Sequence, residues 1–198
     1  NINPYNINFT VGHFDVVERI SPVLGKPLKV QFYVLKENAD GAEKLLDQAE
    51  SFLDFFSRNF GQYPWIKEKL GLVNTPYWGM EHQTIIAYGN KYKNNDKGYD
   101  FLLFHEMAHE WWGNYISVSD WADLWIHEGF AVYAEALYLE EKYGIEEYNK
   151  FFRKKILKKI PLKQPIIPHR NATMENVSGL DPYNKGAYVL HMLRYLLG

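Results

Sequence analysis

His105-Glu106-Met107-Ala108-His109, followed by Glu128 in the run Leu124-Trp125-Ile126-His127-Glu128-Gly129-Phe130-Ala131, decides how this chain is to be read. Residues four apart share one face of a helix, so His105 and His109 can offer two imidazole nitrogens to one point in space. Glu106 sits one residue round the same helix, beside that point without aiming straight at it. This suits a carboxylate that takes a proton from an activated water rather than a ligand.

With 7 His and 15 Glu among 198 residues, roughly 0.02 matches to H-E-x-x-H are expected by accident, and the motif is that of a zinc-protease helix. Glu128 follows His109 after 18 intervening residues, inside a second helical pattern. Two His and one Glu form a catalytic zinc set with one position open, whereas a closed structural site normally uses cysteine, and the chain has 0 Cys.

A hydrophobic content of 46% with 17% aromatic residues is the profile of a globular chain long enough for one domain with a sizeable core. The net charge of -2 offers no global field for nucleic acid or an anionic membrane. No apolar run approaches the ~18 residues of a membrane span. Without Cys there are no disulfides to indicate a compartment, so localisation stays open. Nothing resembles a signal peptide, Asn1 is no initiator, and the last residues are still helical in pattern; the chain reads as a piece of a longer protein.

Outward from the motif, the first 35 residues read as strands. Leu28, Val30, Phe32 and Val34 alternate with Lys29, Gln31 and Tyr33 at period two, and Pro22, Gly25 and Pro27 punctuate the approach, with a boundary expected near residue 20. A helix is predicted from about Gly41 to Asn59, opened by Asp40 with Glu43 as a capping box and carrying an apolar stripe that reads as core. Two short strands, Leu70 to Thr75 and Gln83 to Tyr88, precede the metal helix at about Tyr99 to Trp112, with Gly113 as its cap. A second site helix capped by Asp120 runs to Gly144, and a third spans Ile145 to Ile160. The five lysines and one arginine of the third read as a solvated face. Prolines 161, 165 and 168 mark an irregular stretch, and Asn171-Ala172-Thr173 is only formally a glycosylation acceptor.

Single residues carry further expectations. Glu81 lies on or beside a strand in apolar company, where a carboxylate needs a positive partner unless it is at the surface. Gly79 permits close approach of another backbone, as a substrate pairing with a strand edge requires. Glu135, two turns beyond Glu128 on the same face, is either an acceptor for the outer nitrogen of a liganding histidine or an exposed helix residue. Tyr183 in Pro182-Tyr183-Asn184-Lys185-Gly186 is one of 15 Tyr that could donate to an oxyanion.

Taken together, the two metal motifs, the upstream Gly79-Met80-Glu81-His82 and the downstream Tyr183-Asn184-Lys185-Gly186 resemble the zinc aminopeptidases of the aminopeptidase N family, the gluzincins, in order and spacing over essentially the whole chain. The resemblance implies one zinc ion held by His105, His109 and Glu128, with Glu106 as general base and then acid, and Tyr183 stabilising the tetrahedral intermediate. It implies that Glu81 binds the free α-amino group of a peptide substrate, with Gly79, Met80 and His82 around it. It also implies an α+β, thermolysin-like domain, a small mixed sheet followed by a mainly helical lobe. Residues 1–20 would then end a preceding β domain and 21–198 form a catalytic domain continuing past Gly198, with flanking domains as its partners.

The family's usual Asn is replaced by His82 beside Glu81 and by His127 before Glu128. His82 puts side-chain preference in doubt; His127 faces about 100° away from the ligand and reads as a hydrogen-bonded packing residue. Met174-Glu175-Asn176 repeats the family's M-E-N out of context and receives no role. The rival classes are a zinc-bound, non-catalytic peptide-binding module and a zinc endopeptidase or epoxide hydrolase. Intact Glu106 and Tyr183 argue against the first and Glu81 against the second.

Overall fold

The alternation at residues 28–34 becomes β2 (Lys26–Leu35), whose Leu28, Val30, Phe32 and Val34 are all buried in the computed structural model. The structure describes residues 3–160, 163–177 and 181–198, so Pro161 lies outside it. β1 (Phe14–Val23) pairs antiparallel with β2 across a turn in which Leu24 and Gly25 both take positive φ. The boundary expected near residue 20 falls within this ladder, where Ile20 opposes Lys29. β3 (Lys69–Asn74) runs parallel to β2, β5 (Ile86–Tyr88) parallel to β3, and the short β4 (Gly79–Met80) antiparallel to β5 at the edge. The sheet order is β1-β2-β3-β5-β4, a mixed sheet as expected.

The described residues divide into two units, Asn1–Tyr115 and Ile116–Gly198. In the first, α1 (Ala42–Phe60) buries Leu45, Leu46, Ala49, Phe52, Leu53 and Phe56, the predicted stripe. Its start differs from the expected capping box. A 3-10 turn over Lys36–Gly41 takes in Asp40, and the cap is Gly41 with no side-chain bond. The metal helix α2 (Phe101–Ala108) is shorter than predicted at both ends. Phe104 on α2 meets Phe52, Phe55 and Phe56 of α1 at ring-centroid distances of 5.1, 5.9 and 4.8 Å, and Trp111 stacks on Phe56 at 5.2 Å. This aromatic layer buries the Phe104 face of α2, turned away from its histidines.

The second unit is mainly helical. Asp120 caps a 3-10 turn, Trp121–Asp123, rather than the site helix itself, accepting from Ala122 N at 3.0 Å. The helix α3 (Trp125–Tyr143) follows and ends at Gly144, whose φ of +85° admits glycine with little strain. The predicted third helix breaks into α4 (Ile145–Phe151) and a π-turn, Phe152–Ile156, closed by Leu157 N donating to Phe152 O at 2.9 Å. Lys150, Arg153 and Lys155 there pair with Glu147, Glu146 and Glu135. After a short α5 (Met174–Val177), the chain closes with α6 (Asn184–Leu197). No helix among the described residues is long and apolar enough to cross a membrane.

One contact sets the geometry of this unit. A Cβ built on Gly129 of α3 would lie 2.7 Å from Gly186 Cα, and one built on Gly186 of α6 would lie 2.8 Å from Gly129 Cα. The two backbones touch, with Glu128 next to one glycine and Tyr183 three residues before the other. Ordinary side chains cannot occupy that contact. Gly129→Ala or Gly186→Ala is therefore expected to cost about 1–3 kcal/mol by overpacking, read as a lower urea midpoint. Phe56→Ala, which removes a fully buried ring from the aromatic layer, is expected to cost about 3–5 kcal/mol in the same measurement.

Candidate metal centre

α2 is anchored at both ends. At its start, buried Asp100 accepts from Leu103 N at 3.0 Å through Oδ1, which also takes Asn90 Nδ2 at 3.0 Å, while Oδ2 accepts the Tyr88 phenol. Burial and the neighbouring Asp100 carboxylate push the Tyr88 hydroxyl far above its usual range, so it remains a donor. The helix N-terminus is thereby tied to β5. At the other end, Asn114 N donates to His109 O at 2.9 Å, and Gly113 carries a φ of +134°. A Cβ there would approach His109 O to 3.3 Å.

This tight turn places the Trp112 carbonyl 2.9 Å from His109 Nδ1. A carbonyl only accepts, so Nδ1 must carry the proton and Nε2 is left with its lone pair outward. His105 Nε2 lies 3.2 Å from His109 Nε2, with the rings perpendicular. Two nitrogens at about 2.0–2.1 Å from a tetrahedral zinc would be about 3.3 Å apart, so the donor pair fits the metal. His109 is 1% exposed, which shields that pair.

Two carboxylates share the locus. Oxygens of Glu81 and Glu106 and a ring nitrogen of His109 all lie within 4.8 Å of one another, with the three side chains buried. Glu81 sits immediately after β4 and Met80 within it, paired with Ala87. Gly79, at the strand edge, also makes room for the Glu106 carboxylate. A Cβ there would fall 2.7 Å from Glu106 Oε1 and 2.8 Å from Leu102 Cδ1. His82 is buried, and burial lowers its pKa against the opposing pull of Glu81, so the ring is neutral at pH 7.

In the second unit, Glu128 is buried on the first turn of α3. His127 is fully buried, its Nε2 accepting from Val118 N at 3.0 Å, which is the packing role expected of it. Glu135 is 3% exposed, so it is not an exposed helix residue, and both its oxygens meet Lys155 Nζ, at 2.8 and 3.1 Å. The outer nitrogen of His109 already has the Trp112 carbonyl. Tyr183 is the N-cap residue of α6, with its side chain partly exposed. Met174, Glu175 and Asn176 lie on α5.

Several residues of this locus escaped sequence reasoning. Glu110 is wholly buried, accepts from Thr84 N at 3.0 Å and from Asn114 Nδ2 at 3.3 Å, and is pushed up to about 7 by desolvation against those hydrogen bonds. Asn114 Nδ2 also donates to Glu81 O at 3.0 Å. The available signal was a charged residue embedded in Ala108-His109-Glu110-Trp111-Trp112, where an apolar run gives a carboxylate no solvent.

The family described as Peptidase family M1 domain matches residues 45–198. Endoplasmic reticulum aminopeptidase 1 of Homo sapiens is 27% identical over 214 residues, covering 99% of this chain and 22% of its own length. Glutamyl aminopeptidase of Sus scrofa is 29% identical over 218 residues, covering 97% of this chain and 22% of its own. The chain thus spans about a fifth of these relatives. Among solved structures, an M1 zinc metallopeptidase from Deinococcus radiodurans superimposes with a TM-score of 0.70 at 23% identity, over 94% of this chain and 41% of that one. A glutamate-to-alanine mutant from the same organism, bound to a Tyr-Ser-Ala substrate, gives 0.66 at 26% identity over 92% and 41%. A family match over residues 45–198, with a pair of histidines positioned as metal ligands within it, makes this chain a member of peptidase family M1.

Proposed function

We propose that the protein is a zinc aminopeptidase that hydrolyses the first peptide bond of peptides with a free amino terminus. The observation that carries this reading is the grouping of Glu81, Glu106 and His109 within 4.8 Å. From a substrate's α-amino nitrogen the first carbonyl carbon is about 2.5 Å away and the second about 6 Å. A Glu81 that holds the ammonium group therefore offers only the first bond to Glu106 and the histidine pair. Glu81 acts as a ruler, and the substrate amine is the positive partner a buried carboxylate needs. Neutral His82 does not compete for that carboxylate. Gly79 and Met80 form the strand edge beside it.

His105, His109 and Glu128 would hold one zinc ion. Bound there, the metal supplies Lewis acidity, lowering the pKa of water and polarising a carbonyl. Glu106 takes the proton of the attacking water on a carboxylate oxygen and delivers it to the leaving amine nitrogen as the C–N bond breaks. Its burial keeps bulk water from competing for that proton. Tyr183 donates its hydroxyl to the carbonyl oxygen as charge develops there. Because the Trp112 carbonyl holds the outer nitrogen of His109, Glu135 is assigned to the outer nitrogen of His105.

The relatives support an aminopeptidase by their names, and their greater length makes the full-length protein the proper material for a test. Supplied with one peptide in free and acetylated forms, that protein should cleave only the free form, one residue at a time, and lose the activity to a chelator. Glu81→Ala should abolish the preference; equal losses on both forms would contradict the role of Glu81. Glu106→Gln should retain zinc, measured by metal analysis, while kcat falls about 10²–10⁴-fold. Near-normal turnover with zinc bound would overturn the assignment of the base.

A further inference from the structure

Residues 4–6 stand apart from the chain that follows them. Ile7, Phe9 and Val11 are 55%, 89% and 95% exposed, whereas Asn6 is 2% exposed. The docked segment is a single 3-10 turn, Pro4–Asn6, started by a proline whose ring presets φ and by Asn3. Asn6 N donates to Asn3 O at 2.9 Å and Ile7 N to Pro4 O at 3.2 Å. From this turn, two side chains reach the locus of Glu81. The Tyr5 hydroxyl donates to Glu81 Oε1 at 3.3 Å, and Asn6 Nδ2 donates to Asn114 Oδ1.

Asn114 closes the circuit. Its Nδ2 donates to the main-chain carbonyl of Glu81 at 3.0 Å and to Glu110 Oε2 at 3.3 Å, and Glu110 Oε1 takes Thr84 N at 3.0 Å. Glu81 is thus held at its backbone by Asn114 and at its carboxylate by Tyr5, while Tyr5 is held in place through its neighbour Asn6 by the same Asn114. A side chain placed by a buried amide pair, on an otherwise exposed stretch, is built into the site rather than laid upon it.

Resting on the reading of Glu81 as the amine-binding residue, we propose that Tyr5 is a positioning residue for substrate amine recognition, orienting the Glu81 carboxylate from a turn latched by Asn6 and Asn114. A glutamate side chain is rotamer-rich, and ordering it upon binding costs affinity. A phenol donor on one oxygen removes that cost beforehand and leaves the other oxygen to the substrate ammonium group. Acting through Glu81, Tyr5 affects the affinity for the free amino terminus and leaves the proton transfers of Glu106 untouched.

The test is Tyr5→Phe in the full-length protein, a change that removes one oxygen and keeps the ring. With a free-amine peptide substrate, KM should rise about fivefold to tenfold, the size of one lost hydrogen bond, with kcat within about twofold. The inhibition constant of an amino acid amide should rise by the same factor, with zinc content and thermal midpoint unchanged. In a Glu81→Ala background Tyr5→Phe should add nothing, since both act through one interaction. An unchanged KM in Tyr5→Phe, or the same rise in the Glu81→Ala background, overturns the inference and leaves the aminopeptidase reading standing. Equal cleavage of free and acetylated peptide by the unmutated protein overturns that reading itself, and this inference with it.

Discussion

A single proton on His109 Nδ1 decides which nitrogen of that ring faces His105. The Trp112 carbonyl, 2.9 Å away, accepts only, and this obliges Nε2 to face His105 Nε2 with a lone pair at 3.2 Å. Two such nitrogens repel unless a proton or a cation stands between them. A zinc ion held by His105 and His109 would take that place, and metal affinity at imidazoles depends on pH because the ligand must be deprotonated. The rest of the first unit serves to hold this arrangement. Asp100 and Tyr88 tie the front of α2 to the sheet, the Gly113 turn sets the carbonyl behind it, and the phenylalanine layer leaves the helix no freedom to roll.

Close approach is the second constraint. Hydrogen bonds of buried carboxylates gain strength when water is kept from them, and close packing around such groups excludes it. Gly79 yields its side-chain volume to the Glu106 carboxylate, and Gly129 and Gly186 let α3 and α6 touch beside Glu128 and Tyr183. Gly79 is therefore a spatial requirement of the Glu106 carboxylate, and Gly129 and Gly186 are requirements of the contact between two helix backbones. Buried Glu110 belongs to the same economy: it ties the strand-edge loop at Thr84 to Asn114, and so indirectly to Glu81.

The hydrophobic alternation of β2 and the stripe of α1 were legible because each follows from one local periodicity and one buried face. Their boundaries were less so. Asp40 falls in a 3-10 turn instead of capping α1, and the π-turn at Phe152–Ile156 interrupts a continuous helical pattern where Lys155 reaches Glu135. Gly79 was legible as a place needing room, but that Glu106, 27 positions on, fills part of that room was not.

By itself the sequence determined the chemistry: which residues carry imidazole, carboxylate and phenol, and that a helical period puts His105 and His109 on one face. The tertiary structure decided their state. Only the fold shows that Trp112 selects the tautomer of His109, that burial keeps His82 neutral, and that Tyr5 and Asn114 hold Glu81 from opposite ends. Residue type and local spacing are properties of the chain. The tautomer of His109 depends on the turn that brings Trp112 back to it, and the orientation of Glu81 on groups 33 and 76 positions away, distances no local pattern encodes.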